Sequence, residues 1–418
     1  MKRRAFISML AAGALSGCRS RGASEALQIA FAPAAFSDMY RALADAFMKH
    51  HPGRRVNLLP APNTEDLMQR NFRLALVRNL PDVSHDGLNM IRFYVERGLP
   101  VALNGFLAKD RVAIRALGGS YGGQQYALPF AVSVPVFYYN RALVRRAGGE
   151  PFPATWPGVL ALAARIRDRN DKAQGIFVDY QAGSALAWQT LVFSRGGSMM
   201  SADERRVLFD GPEGLWAATV LRDLGRAGQI DMSRESARRS FAAGTLGIYQ
   251  NTSSHLRNFL LQQQGDALGV APVPVDPVRG RVPASGSAVM MLTKEPARQA
   301  AAWEYLRFAT GPIGQTIMAR HTGYLSSSSE ALERSDLLGE FLERNPLYRV
   351  PYGELPRLTA WYAFPGPRSL RIAEQIQEVM RTLLVGRTSP VAALARMRTE
   401  TEKLLPRSSA APLSLPKD

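Results

Sequence analysis

Cysteine is almost absent from this chain of 418 residues: Cys18 is the only one, so no disulfide can form within the molecule. No apolar run reaches the roughly 20 residues that a membrane-spanning helix requires. None of the five histidines has the spacing of a helical zinc site. The nucleophile motif G-x-S-x-G, the Walker loop and the glycine motif for dinucleotides are missing. These absences argue against the common enzymes, and we predict a binding protein without catalytic residues, metal or cofactor.

The composition is that of a globular protein, with 46% hydrophobic and 21% charged residues, and the length suffices for two domains. The formal net charge is +17. An excess of basic residues fits an anionic ligand or an anionic surface. It equally fits an arginine-rich proteome with solvated basic faces, and that alternative stays open. We predict no nucleic-acid partner.

The first residues have the pattern of an export signal. Lys2, Arg3 and Arg4 precede an apolar stretch from Ala5 to Leu15, and small residues follow. A basic head, a short apolar core and small residues predict a secretory signal over residues 1–17. The tetrad Leu-Ser-Gly-Cys ending at Cys18 resembles a lipobox, which implies lipidation of Cys18 and a membrane anchor.

Arg3-Arg4-Ala5-Phe6-Ile7 also resembles a twin-arginine motif, so export by that route or by the general secretory route stays open. Residues 18–25 are small and polar and predict a tether. We expect the protein in the periplasm or at the cell surface, held to a membrane by lipid. The sequence does not say which membrane holds the anchor.

Strands and helices alternate along the first part of the chain. Apolar runs predict strands over Leu27–Ala32 and Val56–Leu59, and helical stripes cover Asp38–His50 and Thr64–Leu76. Another strand begins near Pro81. This alternation predicts an α/β fold with a parallel sheet that is covered on both faces.

The stretch Tyr126–Asn140, YALPFAVSVPVFYYN, is the feature around which the chain is organised. It predicts a strand, a break at Pro129, a step through Ser133 and a second strand after Pro135. A strand that leaves one sheet and enters another is how a two-lobed protein is hinged, and Ser133 would then face the cleft. A glycine- and serine-rich loop is predicted over Arg279–Ser287, followed by a strand that returns to the first lobe.

Polar groups recur at the predicted hinge and cleft loops. Thr252 and Ser253 follow a predicted strand at its carboxyl end, where open α/β sheets bind ligands. Gly286, between two serines, lets a backbone amide approach a ligand. The segment Trp361–Arg371, WYAFPGPRSLR, combines aromatic rings with guanidinium groups just before a helix. These groups suit a hydroxyl-bearing solute or an anion.

Here a family resemblance becomes specific. The hinge stretch, Trp156, Gly196-Gly197, Ser285-Gly286-Ser287 and Thr322-Gly323-Tyr324 resemble, in that order, the extracytoplasmic solute-binding proteins of ABC importers. The chain is most similar to the glycerol-3-phosphate-binding type, over roughly residues 26–405. The resemblance implies a type II periplasmic binding protein fold, with two doubly wound lobes joined by a multi-strand hinge.

In this interpretation residues 26–132 and 288–338 form the first lobe, and residues 133–287 and 339–405 form the second. Residues 406–418 are a tail of Pro, Ser and Ala that we predict to be disordered. The resemblance also implies a monomer that captures a small-molecule solute and docks on ABC permease subunits. A sensor that presents the solute to a receptor, and a cleft enzyme on the same fold, stay open as alternatives.

The resemblance implies that Ser133, Gly286, Tyr324 and Arg371 contact the ligand. For Arg371 the alternative is a surface arginine in the first turn of a helix, and for Ser133 it is a hinge residue chosen for its size. The chain departs from the family at two places, where Glu65 follows the second strand instead of a cleft tyrosine and Asn89 follows the third instead of a cleft glutamate.

These departures put glycerol-3-phosphate itself in doubt and make a neutral sugar, stacked on Trp361 or Trp188, a serious alternative. The irregular setting of Trp361 favours this role, whereas helical Trp188 is expected in the core. The ligand-binding residues that we predict are Glu65, Asn89, Ser133, Thr252, Ser253, Gly286, Tyr324, Trp361 and Arg371.

Overall fold

The structure is a computed structural model that describes residues 26–110, 118–169, 173–181, 183–262 and 267–406. The predicted signal over residues 1–17, Cys18 and the tether lie outside the described residues, as does the predicted tail after Pro406. Within the described ranges no helix is both long and apolar enough to cross a bilayer.

The strands follow the predicted order closely in the first half of the chain. They are β1 (Leu27–Phe31), β2 (Val56–Pro60), β3 (Val83–Gly87), β4 (Ser120–Tyr121), β5 (Gln124–Gln125), β6 (Ala127–Ser133), β7 (Pro135–Asn140), β8 (Gln174–Val178), β9 (Leu246–Thr252), β10 (Leu268–Pro272), β11 (Val282–Met291) and β12 (Leu358–Ala360).

Helices separate most of these strands. They are α1 (Ser37–His50), α2 (Thr64–Leu76), α3 (Ile91–Val95), α4 (Asn104–Asp110), α5 (Arg141–Arg146), α6 (Trp156–Asp168), α7 (Leu186–Ser194), α8 (Pro212–Arg226), α9 (Arg234–Ala242), α10 (Leu256–Gln262), α11 (Pro296–Thr310), α12 (Pro312–His321), α13 (Ser329–Glu333), α14 (Glu340–Arg344), α15 (Pro346–Arg349), α16 (Ser369–Leu384) and α17 (Pro390–Leu404). The predicted start of α2 is confirmed, since the Asn63 side chain accepts a hydrogen bond from the Asp66 amide as an N-cap.

The first lobe is built on the sheet β12-β11-β3-β1-β2, with β6 paired to β11. Strand β1 runs parallel to β2 and β3, whereas β11 runs antiparallel to β3 and β6. The predicted parallel pairing is therefore confirmed for the first three strands, and the antiparallel pair β6 and β11 extends the same sheet. Parallel neighbours need a crossover helix between them, but β11 reaches the first lobe directly from the other lobe.

The second lobe is built on the sheet β10-β7-β9-β8. Strands β8 and β9 are parallel, and β7 lies antiparallel to both β9 and β10. The lobes have separate hydrophobic cores. Ala131 and Leu338 pack in the first core, and Val134 and Tyr348 pack in the second. The fold class is confirmed as a two-lobed α/β protein, while the residue limits of the lobes stay predictions.

The hinge stretch differs from the prediction at Pro129. Strand β6 runs through this proline without a break. Ser287 lies opposite Ala131 and Ala288 lies opposite Pro129, so Phe130 is an extra residue in a β-bulge. The freed carbonyl oxygen of Phe130 accepts a hydrogen bond from Nε2 of Gln315 at 2.8 Å. A proline is tolerated beside a bulge because the ladder is already interrupted there.

The predicted loop Arg279–Ser287 is also wrong in most of its length. Strand β11 begins at Val282 and continues without interruption to Met291. Its first residues pair with β12 and its later residues with β6 and β3. Glycine and serine favour a loop when only the local sequence is considered. Strands on both sides of this segment supply the hydrogen bonds that make it a strand.

Candidate functional site

The two strands that pass between the lobes are joined by their serines. The Oγ atoms of Ser133 and Ser285 lie 2.8 Å apart, and both side chains are buried. Ser133 ends β6, just before the chain enters the second lobe, as the sequence predicted. Each hydroxyl has one donor and two acceptor positions, so this pair retains capacity for another hydroxyl-bearing molecule.

Residues after β9 meet the segment after α12 at the same junction. The Ser253 amide donates to the Val134 carbonyl at 2.8 Å, and the Gly323 amide donates to the Ser254 carbonyl at 3.3 Å. Ser254 is hydrogen-bonded to the half-buried Tyr324, whose pKa is raised to about 12 by burial. We call Ser133, Ser253, Ser254, Ser285 and Tyr324 the junction cluster.

Thr252 lies at the edge of this cluster. Its Oγ1 is 2.7 Å from Oγ of Ser254, and its carbonyl oxygen accepts a hydrogen bond from the Tyr138 hydroxyl at 2.8 Å. The residue ends β9 at the carboxyl end of that strand, as predicted. Its hydroxyl therefore belongs to the same set of polar groups as Ser254.

Gly286 lies within β11 with φ +117°, a conformation that favours glycine. A Cβ atom here would lie 1.9 Å from the Ala131 carbonyl oxygen and 3.3 Å from Cε1 of Tyr324. The Gly286 carbonyl accepts a hydrogen bond from the Leu88 amide at 2.9 Å. Close approach of neighbouring backbone thus explains the glycine by itself, and its contact with a ligand stays a prediction.

Acidic side chains gather near the ends of β2 and β3. Glu65 is half-buried in the first turn of α2, and its Oε1 lies 3.5 Å from the place that a Cβ on Gly183 of the second lobe would take. Asp86 is fully buried, accepting from the Tyr94 hydroxyl at 2.6 Å and from the Gly87 amide at 2.7 Å. The pKa of Asp86 is raised to about 8, mainly by burial and to a smaller extent by the charge of Glu65.

Asn89 follows β3 and is buried. Its Oδ1 would lie only 2.6 Å from a Cβ on Gly87, so the side chain folds back over that glycine. The predicted position after the third strand is correct. Because the side chain is already enclosed, whether it also contacts a ligand stays a prediction.

Sequence reasoning missed a polar network at the ends of β8 and β9. Asp179 accepts a hydrogen bond from Nδ2 of Asn251 at 2.8 Å, and Nε of Arg234 lies 2.8 Å from its Oδ2. Asp179 is 2% exposed, and this burial raises its pKa. The signal was present, since Asp179 directly follows an apolar strand at its carboxyl end, where ligand sites of α/β sheets lie.

Two other residues near the junction were also missed. Tyr40 of α1 is buried, is hydrogen-bonded to Ser287 and stacks on Phe31 with ring centroids 4.0 Å apart. Ser287 lies one residue beyond Gly286 in β11. The helical stripe of α1 indicated a core role for its apolar residues, but no pattern in the sequence pointed to the hydroxyl of Tyr40.

Trp188 and Trp361, the two tryptophans considered as stacking surfaces, differ in burial as expected. Trp188 is fully buried in α7 and meets Phe209 edge to face, with centroids 5.8 Å apart, so its predicted core position is confirmed. Trp361 follows β12 in an irregular segment and is half-buried. Its Nε1 is buried without a hydrogen-bond partner among the described residues. Nε1 of the core residue Trp188 is likewise buried without a partner in the described part of the chain, so this feature does not distinguish the two residues, and the stacking role of Trp361 stays a prediction.

Arg371 lies in the first turn of α16 with 77% of its side chain exposed. Its Nη1 donates to Glu374 on the same helix at 3.1 Å. This arrangement is the one expected if Arg371 is a surface arginine in the first turn of a helix and not a ligand-binding residue. Its neighbour Leu370 packs against the first lobe, so α16 begins beside the space between the lobes. A role of Arg371 in anion binding therefore stays a prediction.

Two lobes, strands that pass between them and hydroxyl groups gathered at the junction define the class of two-lobed solute-binding proteins. The chain belongs to the bacterial extracellular solute-binding protein family, whose family model matches residues 42–348. The resemblance found in the sequence is thereby confirmed. This family consists of binding proteins rather than enzymes, and membership implies a location in the periplasm or at the cell surface.

Known proteins of two kinds are similar to this chain. A glycerol-3-phosphate-binding periplasmic protein of Agrobacterium fabrum is 21% identical over 290 residues, covering 66% of each chain. The crystal structure of UgpB from Mycobacterium tuberculosis with glycerophosphocholine superposes with a TM-score of 0.81 at 20% identity, covering 91% of this chain and 98% of the other. The cyclic α-maltosyl-1,6-maltose-binding protein of Arthrobacter globiformis superposes with a TM-score of 0.78 at 21% identity, covering 91% and 98%.

Proposed function

We propose that this protein is the solute-binding component of an ABC importer and that it captures a sugar or a glycerol-phosphate-type solute between its lobes. The observation that carries the proposal is the junction cluster, because it gathers hydroxyl groups from both lobes where the chain passes between them. Sugars and glycerol derivatives are bound by such groups. One similar protein of known structure holds glycerophosphocholine, and another is named as a binding protein for cyclic α-maltosyl-1,6-maltose, which supports the same solute classes.

The charges beside the junction favour a neutral solute over glycerol-3-phosphate. The carboxylate of Glu65 lies beside Gly183 of the second lobe, whereas the buried Asp86 holds a proton at neutral pH because its pKa is raised to about 8, so Glu65 supplies the negative charge here. A phosphate placed here would meet like charge, which disfavours binding. The exposed Arg371 is already paired with Glu374. A neutral sugar would avoid this repulsion and could stack on Trp361.

Capture would proceed by closure at the hinge. Ligand contacts to both lobes shift the population from an open to a closed form, by as much as the ligand prefers the closed one. Ser254 of the second lobe and Tyr324 of the first already contact each other across the junction, which supports this mechanism. The closed form would then dock, as a monomer, on ABC permease subunits in the membrane.

The amino-terminal residues support a lipid anchor. Residues 1–17 would be removed during export, and acyl chains on Cys18 would hold the domain to the membrane through a tether of a few residues. Mass spectrometry of the exported protein tests this: a mature chain that begins with acylated Cys18 is expected. An unmodified cysteine in the membrane-free fraction would contradict the anchor.

A thermal-shift screen tests the proposed solute classes on the chain from residue 19 onward, which retains every described residue. The panel holds glycerol-3-phosphate, glycerophosphodiesters, sugar phosphates, and neutral mono- and oligosaccharides. At a hundredfold excess over its dissociation constant a ligand adds about 2.7 kcal/mol of stability. We expect the largest shift with neutral sugars.

Variants separate the two solute classes. Arg371→Ala should leave a neutral sugar's shift unchanged, and Arg344→Ala, which alters an exposed ion pair on α14, serves as its matched control. A shift with phosphates alone that disappears in Arg371→Ala would instead assign an anionic solute. Stability unaffected by every member of the panel would contradict both classes, and a recovered ligand that has been chemically altered would indicate an enzyme.

A further inference from the structure

Arg92 of the first lobe forms a bidentate ion pair with Glu204 of the second lobe. Nη1 donates to Oε1 and Nη2 donates to Oε2, each at 2.6 Å. This forked geometry is among the strong forms of charge-assisted hydrogen bond. The residues lie 112 positions apart in the chain, and the contact joins α3 to a turn that extends from the second lobe.

The turn presents Glu204 in a defined position. Met200 and Val207 pair across it, and both side chains are buried in the second core. Within the turn the Ser201 amide donates to the Arg206 carbonyl at 2.9 Å. Glu204 itself has φ +57°, which is uncommon for a residue other than glycine. A side chain held in such a conformation by a closed turn is a candidate for function.

Glu204 has a second partner from its own lobe. The Tyr362 hydroxyl donates to Oε1 of Glu204 at 2.9 Å. The backbone of Tyr362 is fixed in turn by Gln189 of α7, which donates to the Tyr362 carbonyl and accepts from its amide, both at 2.9 Å. The carboxylate is therefore oriented before Arg92 reaches it.

A second contact between the lobes adjoins the first. Glu96, the residue that caps the carboxyl end of α3, accepts from Nε of Arg92 at 2.7 Å and from the Gly366 amide at 3.3 Å. Nη1 of Arg92 also donates to the Ala363 carbonyl at 3.2 Å. The first-lobe pair Arg92 and Glu96 thus holds the segment 361–366 as well as Glu204.

The pair lies partly out of water, with 16% of the Arg92 side chain and 33% of the Glu204 side chain exposed. Salt screens such a pair less than a fully exposed one. When the lobes separate, both groups must return to water and their mutual contact is lost. The contact therefore stabilises the arrangement in which the lobes are together, and it does so without any solute.

We propose that Arg92 and Glu204 form a latch that stabilises the closed arrangement of the lobes and so slows the release of solute. They are positioning residues, since they act through the lobes and not by touching the solute. The inference rests on the proposed function, because closure on a solute is the step that the latch would bias. The apparent dissociation constant of a solute is its intrinsic value divided by the fraction of molecules that are closed, so a larger closed fraction means tighter binding. The latch would therefore change the affinity without touching the solute.

Spin-label distances test the latch without solute. The chain from residue 19 onward has no cysteine, so Lys49→Cys on α1 and Ala395→Cys on α17 place one label on an exposed position of each lobe. We expect Glu204→Gln to reduce the population at the wild-type distance at least twofold and to add a second distance. Arg92→Lys, which keeps the charge but loses the fork, should give an intermediate result.

Glu304→Gln is the matched control. It removes a forked pair with Arg54 at 2.8 Å and 2.9 Å, of comparable exposure, that lies wholly within the first lobe. This variant should keep the wild-type distances. Equal distance distributions for Glu204→Gln and Glu304→Gln would overturn the latch.

A solute identified by the thermal screen gives the second readout. Glu204→Gln should raise its dissociation rate about fivefold, whereas Glu304→Gln should leave that rate unchanged. An unchanged dissociation rate in Glu204→Gln would overturn the role in solute retention. Failure of every solute to bind would contradict the proposed function instead, and the ligand-free distances would still decide on the latch.

Discussion

Arg298 of α11 and Asp82, which precedes β3, form a forked ion pair in the interior of the first lobe. Nε donates to Oδ1 at 2.7 Å, and both side chains are 3% exposed. Asp82 also accepts from the Gln28 amide at 2.7 Å, and Arg298 donates to the Ala26 carbonyl at 3.1 Å. The pair therefore ties the first strand of the fold to a helix more than two hundred residues later.

Arg298→Met should destabilise the protein by about 3–5 kcal/mol, since removal of one partner leaves a buried charge without compensation. Urea denaturation monitored by tryptophan fluorescence measures this. The matched control is Arg344→Ala, whose pair with Glu340 is largely exposed and is expected to contribute about 0–1 kcal/mol. Equal losses of stability in the two variants would contradict the importance of burial.

Gly286→Ala should be strongly destabilising, by about 3 kcal/mol or more, because a Cβ would overlap the Ala131 carbonyl at a φ of +117°. The substitution would disrupt the pairing of β11 with β6, and these two strands form part of the hinge. Gly105→Ala is the control, since no atom lies within 4 Å of its Cβ position in α4. That substitution should change the stability by no more than about 0.5 kcal/mol, because Gly105 is exposed in the first turn of the helix. Thermal unfolding of both variants checks the contrast.

The buried His85 should make the stability of the protein depend on pH. Burial lowers its pKa from 6.5 to about 3 in the folded protein, while the unfolded chain binds the proton near 6.5. Stability should therefore fall as the pH drops from about 6.5 toward 3, by up to about 1.4 kcal/mol per pH unit from this residue. His85→Gln should flatten that part of the profile. Chemical denaturation at several pH values measures the difference, and identical profiles would contradict it.

Asp86 should make the stability change with pH in the opposite direction, so that it falls as the pH rises. Its pKa is raised from 3.8 to about 8, mainly by burial, so the folded protein retains a proton that the unfolded chain releases. The stability from the protonated form is present below about pH 4 and is lost as the pH rises toward 8. Asp86→Asn, which keeps a neutral side chain of similar shape, should remove this loss. A profile between pH 4 and 8 that is the same in the variant and the wild type would argue against a protonated Asp86.

The two tryptophans should respond to substitution in different assays. Trp361→Ala should weaken binding of the solute by about tenfold with a small change in stability, because we propose that its ring stacks on the solute. Trp188→Ala should cost about 3–5 kcal/mol of stability, since it leaves a cavity in the second core. Calorimetric titration and urea denaturation of both variants separate the roles. A large loss of stability in Trp361→Ala with unchanged affinity would make Trp361 a core residue.

Local patterns alone were enough for several elements. The sequence predicted α2 from Thr64 to Leu76, with Asn63 or Thr64 as its N-cap, and the step at Ser133 between two strands, since caps, helical stripes and proline positions act over a few residues. The order of motifs along the chain led to the two-lobed solute-binding family. The core position of Trp188 also followed from its place in an apolar helix.

Only the tertiary structure decided the rest. Pro129 lies inside a strand because the bulge at Phe130 removes a ladder bond, and β11 begins at Val282 because neighbouring strands pair with it on both sides. The forked contact between Arg92 and Glu204 joins residues of two lobes that have no common local pattern. Short-range preferences are written in the sequence of a segment, whereas hydrogen bonds and charges that meet across a fold depend on which distant segments the fold brings together.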